Sequence, residues 1–144
     1  MESKTRDIIF RGQTRRYGEK MYMNGTKLPS VWMYEGVLQG TGSFSIIYGC
    51  EDPKDKSAVN FGKHTVYTDT LGQYTGLTDK NDKMIFEGDI LRTANGIIFV
   101  VEWEKNGRFL GFTIEKERRI VYVSREPKAE IIGNIYDNPE LLTA

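Results

Sequence analysis

The chain has 144 residues, 39% hydrophobic and 28% charged, a balance that supports one globular domain with its own core and excludes a disordered chain. Twenty basic and twenty acidic side chains leave no net charge, which weighs against a protein built around nucleic-acid phosphates. The longest apolar run, Ile97–Val101, is far short of the ~20 residues of a spanning helix, and the single Cys50 excludes an internal disulfide.

Eight Tyr, seven Phe and two Trp lie among short Ile- and Val-bearing runs, a composition that suits a pleated, half-buried surface. Fifteen glycines punctuate those runs at intervals of roughly ten residues, and no window carries an apolar stripe at helical spacing. In chain order, Asp7–Arg11 reads as a strand and Val31–Leu38 as a weaker candidate. Ser43–Tyr48 reads as another strand, and the polar, proline-bearing stretch Glu51–Asn60 as an exposed loop. The clearest pattern begins at Leu71. Leu71–Leu77 is a strand closed by the turn residues Thr78–Asp82. Lys83–Phe86 follows, then Glu87-Gly88-Asp89, whose glycine marks a sharp bend of the kind common in SH3-like barrels. Asn95-Gly96 predicts a tight hairpin with positive φ at both central positions, joining Ile90–Thr93 to Ile97–Trp103. Asn106-Gly107 repeats the device before Phe109–Ile114, and Ile120–Val123 and Ala129–Tyr136 complete the series. Asn138-Pro139-Glu140 carries an N-cap and a first-turn proline, and announces one helical turn.

Short antiparallel strands joined by tight turns must hide their edges, which predicts a mainly β fold with strands closed on themselves. The expected architecture is a single domain over 1–144. It comprises a small antiparallel SH3-like barrel over 71–137, an additional N-terminal β region over 1–70 with an exposed loop at 51–60, and a short C-terminal helical turn over 138–144.

One segment resembles a known family. Gln73-Tyr-Thr-Gly-Leu-Thr-Asp-Lys-Asn-Asp-Lys-Met-Ile-Phe-Glu-Gly-Asp-Ile-Leu91 is similar to the central signature of the YopX-like proteins of phages and prophages. Ile8–Arg11 with Lys20-Met21-Tyr22 resembles the opening of that family, and Ile131–Leu142 its close, while residues 30–70 match least. The resemblance implies a mainly β fold with an SH3-like component, a phage or prophage origin and a bacterial host cytoplasm. It supplies no catalytic residues, and Tyr74, Gly76, Glu87, Gly88 and Asp89 enter only as a structural signature. The opening Met-Glu-Ser-Lys-Thr-Arg-Asp has no apolar signal stretch, which agrees with a cytoplasmic location.

The residues that could carry chemistry are few. Asp79, Asn81, Asp82, Glu87 and Asp89 gather oxygens, but a calcium loop begun at Asp79 puts Met84 where glycine is needed and Ile90 where a bidentate glutamate is needed. Gly40-Thr-Gly-Ser-Phe-Ser45 opens like a dinucleotide fingerprint and has Ser45 in place of its third glycine. His64 has no accompanying nucleophile motif and, beside Thr65-Val66-Tyr67, reads as a partly buried strand residue, and Cys50 precedes two acids that raise rather than lower a thiol pKa. Glu102/Glu104 and Glu115/Glu117 share a strand face at spacing two, and their interleaving with Trp103 and Lys116 is that of a solvated face. These readings lead to no cofactor, no metal and no enzyme.

The expected role is therefore a phage or prophage accessory protein, a β module that binds a phage or host protein or associates with itself. The alternative is nucleic-acid binding through the basic-aromatic cluster Arg11, Arg15, Arg16, Tyr17 and Lys20, in a stretch where residues 1–30 carry seven basic and three acidic side chains. An enzyme of unrecognised type is the third reading.

Overall fold

The computed structural model describes residues 9–14, 22–23, 26–27, 31–52, 62–104, 107–114 and 118–143. The described chain is mainly β. Its strands are β1 (Phe10–Thr14), β2 (Tyr22–Met23), β3 (Thr26–Lys27), β4 (Val31–Thr41), β5 (Phe44–Cys50), β6 (Gly62–Tyr67) and β7 (Gly72–Thr78). They continue as β8 (Met84–Phe86), β9 (Asp89–Arg92), β10 (Ile98–Glu104), β11 (Arg108–Thr113), β12 (Ile120–Val121) and β13 (Glu130–Asn134). All pairings are antiparallel, and short 3₁₀ turns at Thr68–Thr70, Val123–Arg125 and Pro139–Leu142 are the only helical segments among the described residues. Two compact units divide the chain at β7, one over Asp7–Gln73 and one from Tyr74 onward.

In the N-terminal unit the strand order is β6-β5-β4-β1, and β1 pairs on its other side with Gly72 and Gln73. The β4–β5 hairpin turns on Gly42-Ser43 with Thr41 opposite Phe44, so the glycine-rich stretch read as a broken fingerprint is a two-residue hairpin loop. The sheet curls until β6 returns to β1. Thr14 Oγ1 donates to the Thr65 carbonyl, and Gln13 N–H donates to Thr70 Oγ1 at 2.8 Å. A Cβ on Gly12 would stand 2.8 Å from Val66 Cγ2, so the missing side chain is what lets the two strands approach. Met33, Ile47 and Val66 form the small core, with Val31 and Leu71 against it.

The second unit contains a five-stranded sheet in the order β12-β11-β10-β9-β13. Tyr74 opposite Phe86 and Thr78 opposite Met84 pair β7 with β8, and Gly76, at φ +85°, lies in the irregularity between them. Its core is Ile85, Leu91, Phe99, Val101, Val123 and Ala129. Period-two alternation explains the choice: Phe99 and Val101 face this core, while Glu102 and Glu104 face the other way. Burying each such apolar side chain stabilises the fold by ~1.5–3 kcal/mol.

Gly88 has φ +92°, donates its N–H to the Val101 carbonyl at 2.8 Å and accepts from Ile135 N–H at 2.9 Å. That is the bend expected of Glu87-Gly88-Asp89. The Asn95-Gly96 hairpin differs from expectation. Only Gly96 has positive φ; its N–H reaches the Thr93 carbonyl at 3.0 Å, and Thr93 N–H reaches the Ile97 carbonyl at 2.8 Å. This is a three-residue loop ending in a left-handed glycine, which places the φ requirement on one residue instead of two. Gly107 repeats it, with φ +84° and its N–H on the Glu104 carbonyl at 2.9 Å.

Other expectations change as well. The strand β6 bears out His64 beside Thr65–Tyr67 as a partly buried strand residue and extends back to Gly62, and of the expected loop at 51–60 Glu51 and Asp52 are exposed while 53–60 fall outside the described residues. Asn138 makes no cap hydrogen bond to the Pro139 turn, because its Oδ1 accepts from Asn134 N–H at 3.2 Å. No ladder joins β12 to β13 among the described residues, so the five-stranded sheet is open in its pairing rather than a closed cylinder.

The two rims of that sheet differ. On the β13 side the Asp79 turn covers the start of the rim: Ile131 N–H donates to Asp79 Oδ2 at 3.0 Å and Lys80 N–H to the Ala129 carbonyl at 2.9 Å. On the β12 side the rim is two residues long.

Candidate binding surface

Strands β10, β11 and β12 and the turn after them carry most of the exposed apolar side chains. Trp103, Ile120, Tyr122 and Leu142 are large hydrophobic groups exposed in the second unit, against Tyr48 alone in the first, among the described residues. Trp103 stands at the outer end of β10, opposite Phe109, with ring centroids 4.6 Å apart in an edge-on arrangement. Ile120 is the most exposed of these groups at 51%.

Arginines accompany the aromatics. Arg118 lies over the Phe112 ring at 4.6 Å and pairs with Glu102, and Arg125 lies over the Tyr122 ring at 4.9 Å. Arg108 bonds Glu104 at 2.6 Å, and the hydrogen bond and charge of that carboxylate raise the guanidinium pKa. Two cavities open on this surface. One of about 560 Å³ is lined by Val100, Phe112, Ile114, Ile135 and Leu142, with Glu102 and Arg118 among its walls. The other, of about 280 Å³, lies beside β12 and is lined in part by Ile97, Val121, Tyr122 and Arg125. Aromatic and guanidinium groups at the mouth of apolar hollows are the composition of a protein-binding patch.

Most of the residues singled out in the sequence that the structure describes hold structure. Of the basic cluster, Arg11 is 6% exposed and stacks on Trp32 at 4.4 Å in the N-terminal unit, while Arg15, Arg16, Tyr17 and Lys20 lie outside the described residues. Tyr74 packs on Phe86 with centroids 5.6 Å apart, Glu87 is half-buried in the β8–β9 turn, and buried Asp89 accepts Phe86 N–H at 2.7 Å. Asp79 is buried, and its Oδ1 accepts Asn81 and Lys83 N–H, each at 2.9 Å, while Oδ2 takes Ile131. Burial alone would raise its pKa, but those three backbone donors and the Lys83 charge outweigh it, and the net shift is downward. The carboxylate is thus saturated by backbone.

Glu102 and Glu104 share a face as their spacing requires, and each is bound to an arginine. Glu115 and Glu117 lie outside the described residues. His64 sits half-buried on β6 opposite Ile47, its Nε2 buried without a hydrogen-bond partner. Cys50 is buried and its Sγ donates to the Asp52 carbonyl at 3.0 Å. Sequence reasoning passed over Trp103, Ile120 and Tyr122 as strand residues. The exposure of Ile120 and Tyr122 goes with β12 ending the sheet, a property of the pairing order, whereas Trp103 is exposed at the outer end of the central strand β10.

A family model described as YopX protein matches residues 29–143, most of the chain. The chain belongs to the YopX family. The match includes residues 30–70, where the resemblance read from the sequence was weakest, and leaves the opening segments Ile8–Arg11 and Lys20–Tyr22 outside. Every exposed apolar group of the surface described above falls within the YopX match. Among curated proteins, none matches the chain.

Proposed function

We propose that this YopX-family chain is a non-catalytic binding module of phage or prophage origin, acting on a protein partner in the cytoplasm of a bacterial host. In this reading the second unit is an SH3-like barrel variant whose β10–β12 side forms the contact surface. One observation carries it: Trp103, Ile120 and Tyr122 are held in solvent by β10–β12, beside guanidinium groups rather than a constellation of titratable side chains. The carboxylates that could serve as acids or bases are engaged, Glu102 and Glu104 by arginines of the same surface and Asp79 by backbone.

The test has two arms. Full-length protein carrying Trp103→Ala with Tyr122→Ala, folded by circular dichroism, is expected to lose a partner, or a self-associated state seen by sedimentation, that the parent protein retains. Reproducible turnover of a generic ester, phosphate or nucleic-acid substrate by pure protein, abolished by His64→Ala, would overturn the reading. The second reading, single-stranded nucleic-acid binding through Arg15 and Arg16, rests on the sequence cluster. It predicts salt-sensitive retention of labelled oligonucleotide that weakens in Arg15→Ala/Arg16→Ala.

A further inference from the structure

The open rim of the five-stranded sheet has a definable hydrogen-bonding pattern. Thr113 N–H donates to the Arg119 carbonyl at 2.9 Å, which makes Phe112 and Ile120 a non-hydrogen-bonded pair and Gly111 and Val121 a hydrogen-bonded one. The N–H and C=O of Ile120 therefore point away from β11, and neither takes a hydrogen bond among the described residues. By strand alternation the N–H of Tyr122 is next on the same side, while its carbonyl is used by Arg125 N–H.

Beside this rim lies the cavity of about 280 Å³, room for one or two side chains of an added strand. Ile97, Val121 and Tyr122 give it apolar walls, and its charged groups among the described residues are Arg119, Arg125 and Glu126. Arg125 meets the Tyr122 ring and no carboxylate among the described residues.

We infer that the open edge of β12 is a strand-addition site for an extended segment of a partner protein that carries an acidic side chain beside an aliphatic one. The inference rests on the binding-module reading and names the partner chemistry. Backbone groups of Ile120 and Tyr122 supply the main-chain bonds, the cavity takes the aliphatic group, and the Arg125 guanidinium takes the acid. A second copy of the chain fits less well, because twofold pairing of β12 with itself would bring Arg119 and Arg125 toward their own equivalents.

The experiment titrates isotope-labelled full-length protein with two short synthetic peptides, one alternating valine with aspartate and one alternating valine with lysine. The aspartate peptide is expected to shift the amide resonances of Ile120 and Tyr122 and to bind more weakly as salt rises. An aspartate peptide N-methylated at alternate amides is expected not to bind. Arg125→Glu is expected to lower affinity roughly tenfold, and Ile120→Pro to abolish the shifts while the melting curve is kept. Equal binding of the lysine peptide overturns the assigned chemistry. Concentration-dependent shifts at the same amides without peptide assign the edge to a second copy and overturn the occupant. No shift at Ile120 or Tyr122 with any peptide overturns the site. If partner binding nevertheless persists in Ile120→Pro and is lost in Trp103→Ala with Tyr122→Ala, the module reading stands without it.

Discussion

At the scale of single residues, Asp79 shows how a polar group becomes structural. One carboxylate satisfies backbone donors from Asn81, Lys83 and Ile131, the last of them 52 residues away. Asp79→Ala leaves three donors without their acceptor, and a loss of about 2–3 kcal/mol is expected in denaturant titrations, with Asp79→Asn intermediate. The lowered pKa has a pH consequence. A folded value below the ordinary 3.8 means that the stabilisation is complete above that value and is lost as pH falls through the folded one. The acid limb of the stability curve is expected to flatten in Asp79→Asn. Arg11 is the counterpart in the N-terminal unit. Its stacking on Trp32 predicts a loss of about 2 kcal/mol in Arg11→Ala, with only partial recovery in Arg11→Lys, since an ammonium lacks the planar face.

At the scale of elements, legibility followed locality. The strands from residue 71 onward were readable because each is bounded by residues whose backbone demands are met nearby, as Gly88, Gly96 and Gly107 show. The strand β6 was readable only around His64–Tyr67, and its full extent was not. Gly62-Lys-His-Thr-Val-Tyr67 becomes a strand through Ile47 opposite His64 and Ser45 opposite Val66, partners about twenty residues away. The Asn138 cap failed for a related reason, since a neighbouring backbone N–H competed for its side chain. Among the turns, Gly88 is the most demanding, because its φ is +92° and a Cβ there would stand 3.1 Å from the Tyr136 ring. Gly88→Ala is expected to cost about 2 kcal/mol or more, against about 1 kcal/mol for Gly96→Ala, where the space is open. Thermal melts of the two variants decide the order.

At the scale of the whole molecule, each unit has its own core, Met33, Ile47 and Val66 in one and Leu91, Phe99 and Val101 among others in the second. Phe99→Ala is expected to destabilise by about 3–5 kcal/mol and to reduce hydrogen-exchange protection first in β9–β11, while Ile47→Ala acts first in β4–β6. Protection lost uniformly over both units would show that they unfold as one. The mainly β class and the family were legible in the sequence. The candidate surface was not, because Ile120 and Tyr122 are ordinary strand residues until the strand order makes β12 terminal.

The asymmetry of that sheet governs stoichiometry. Tiling chain upon chain needs two receptive margins per subunit, and here Asp79 and Lys80 occupy one of them. A chain adding at the second margin would have to displace the Asp79 turn, so a complex formed at β12 is expected to hold one guest per subunit instead of propagating as a fibre.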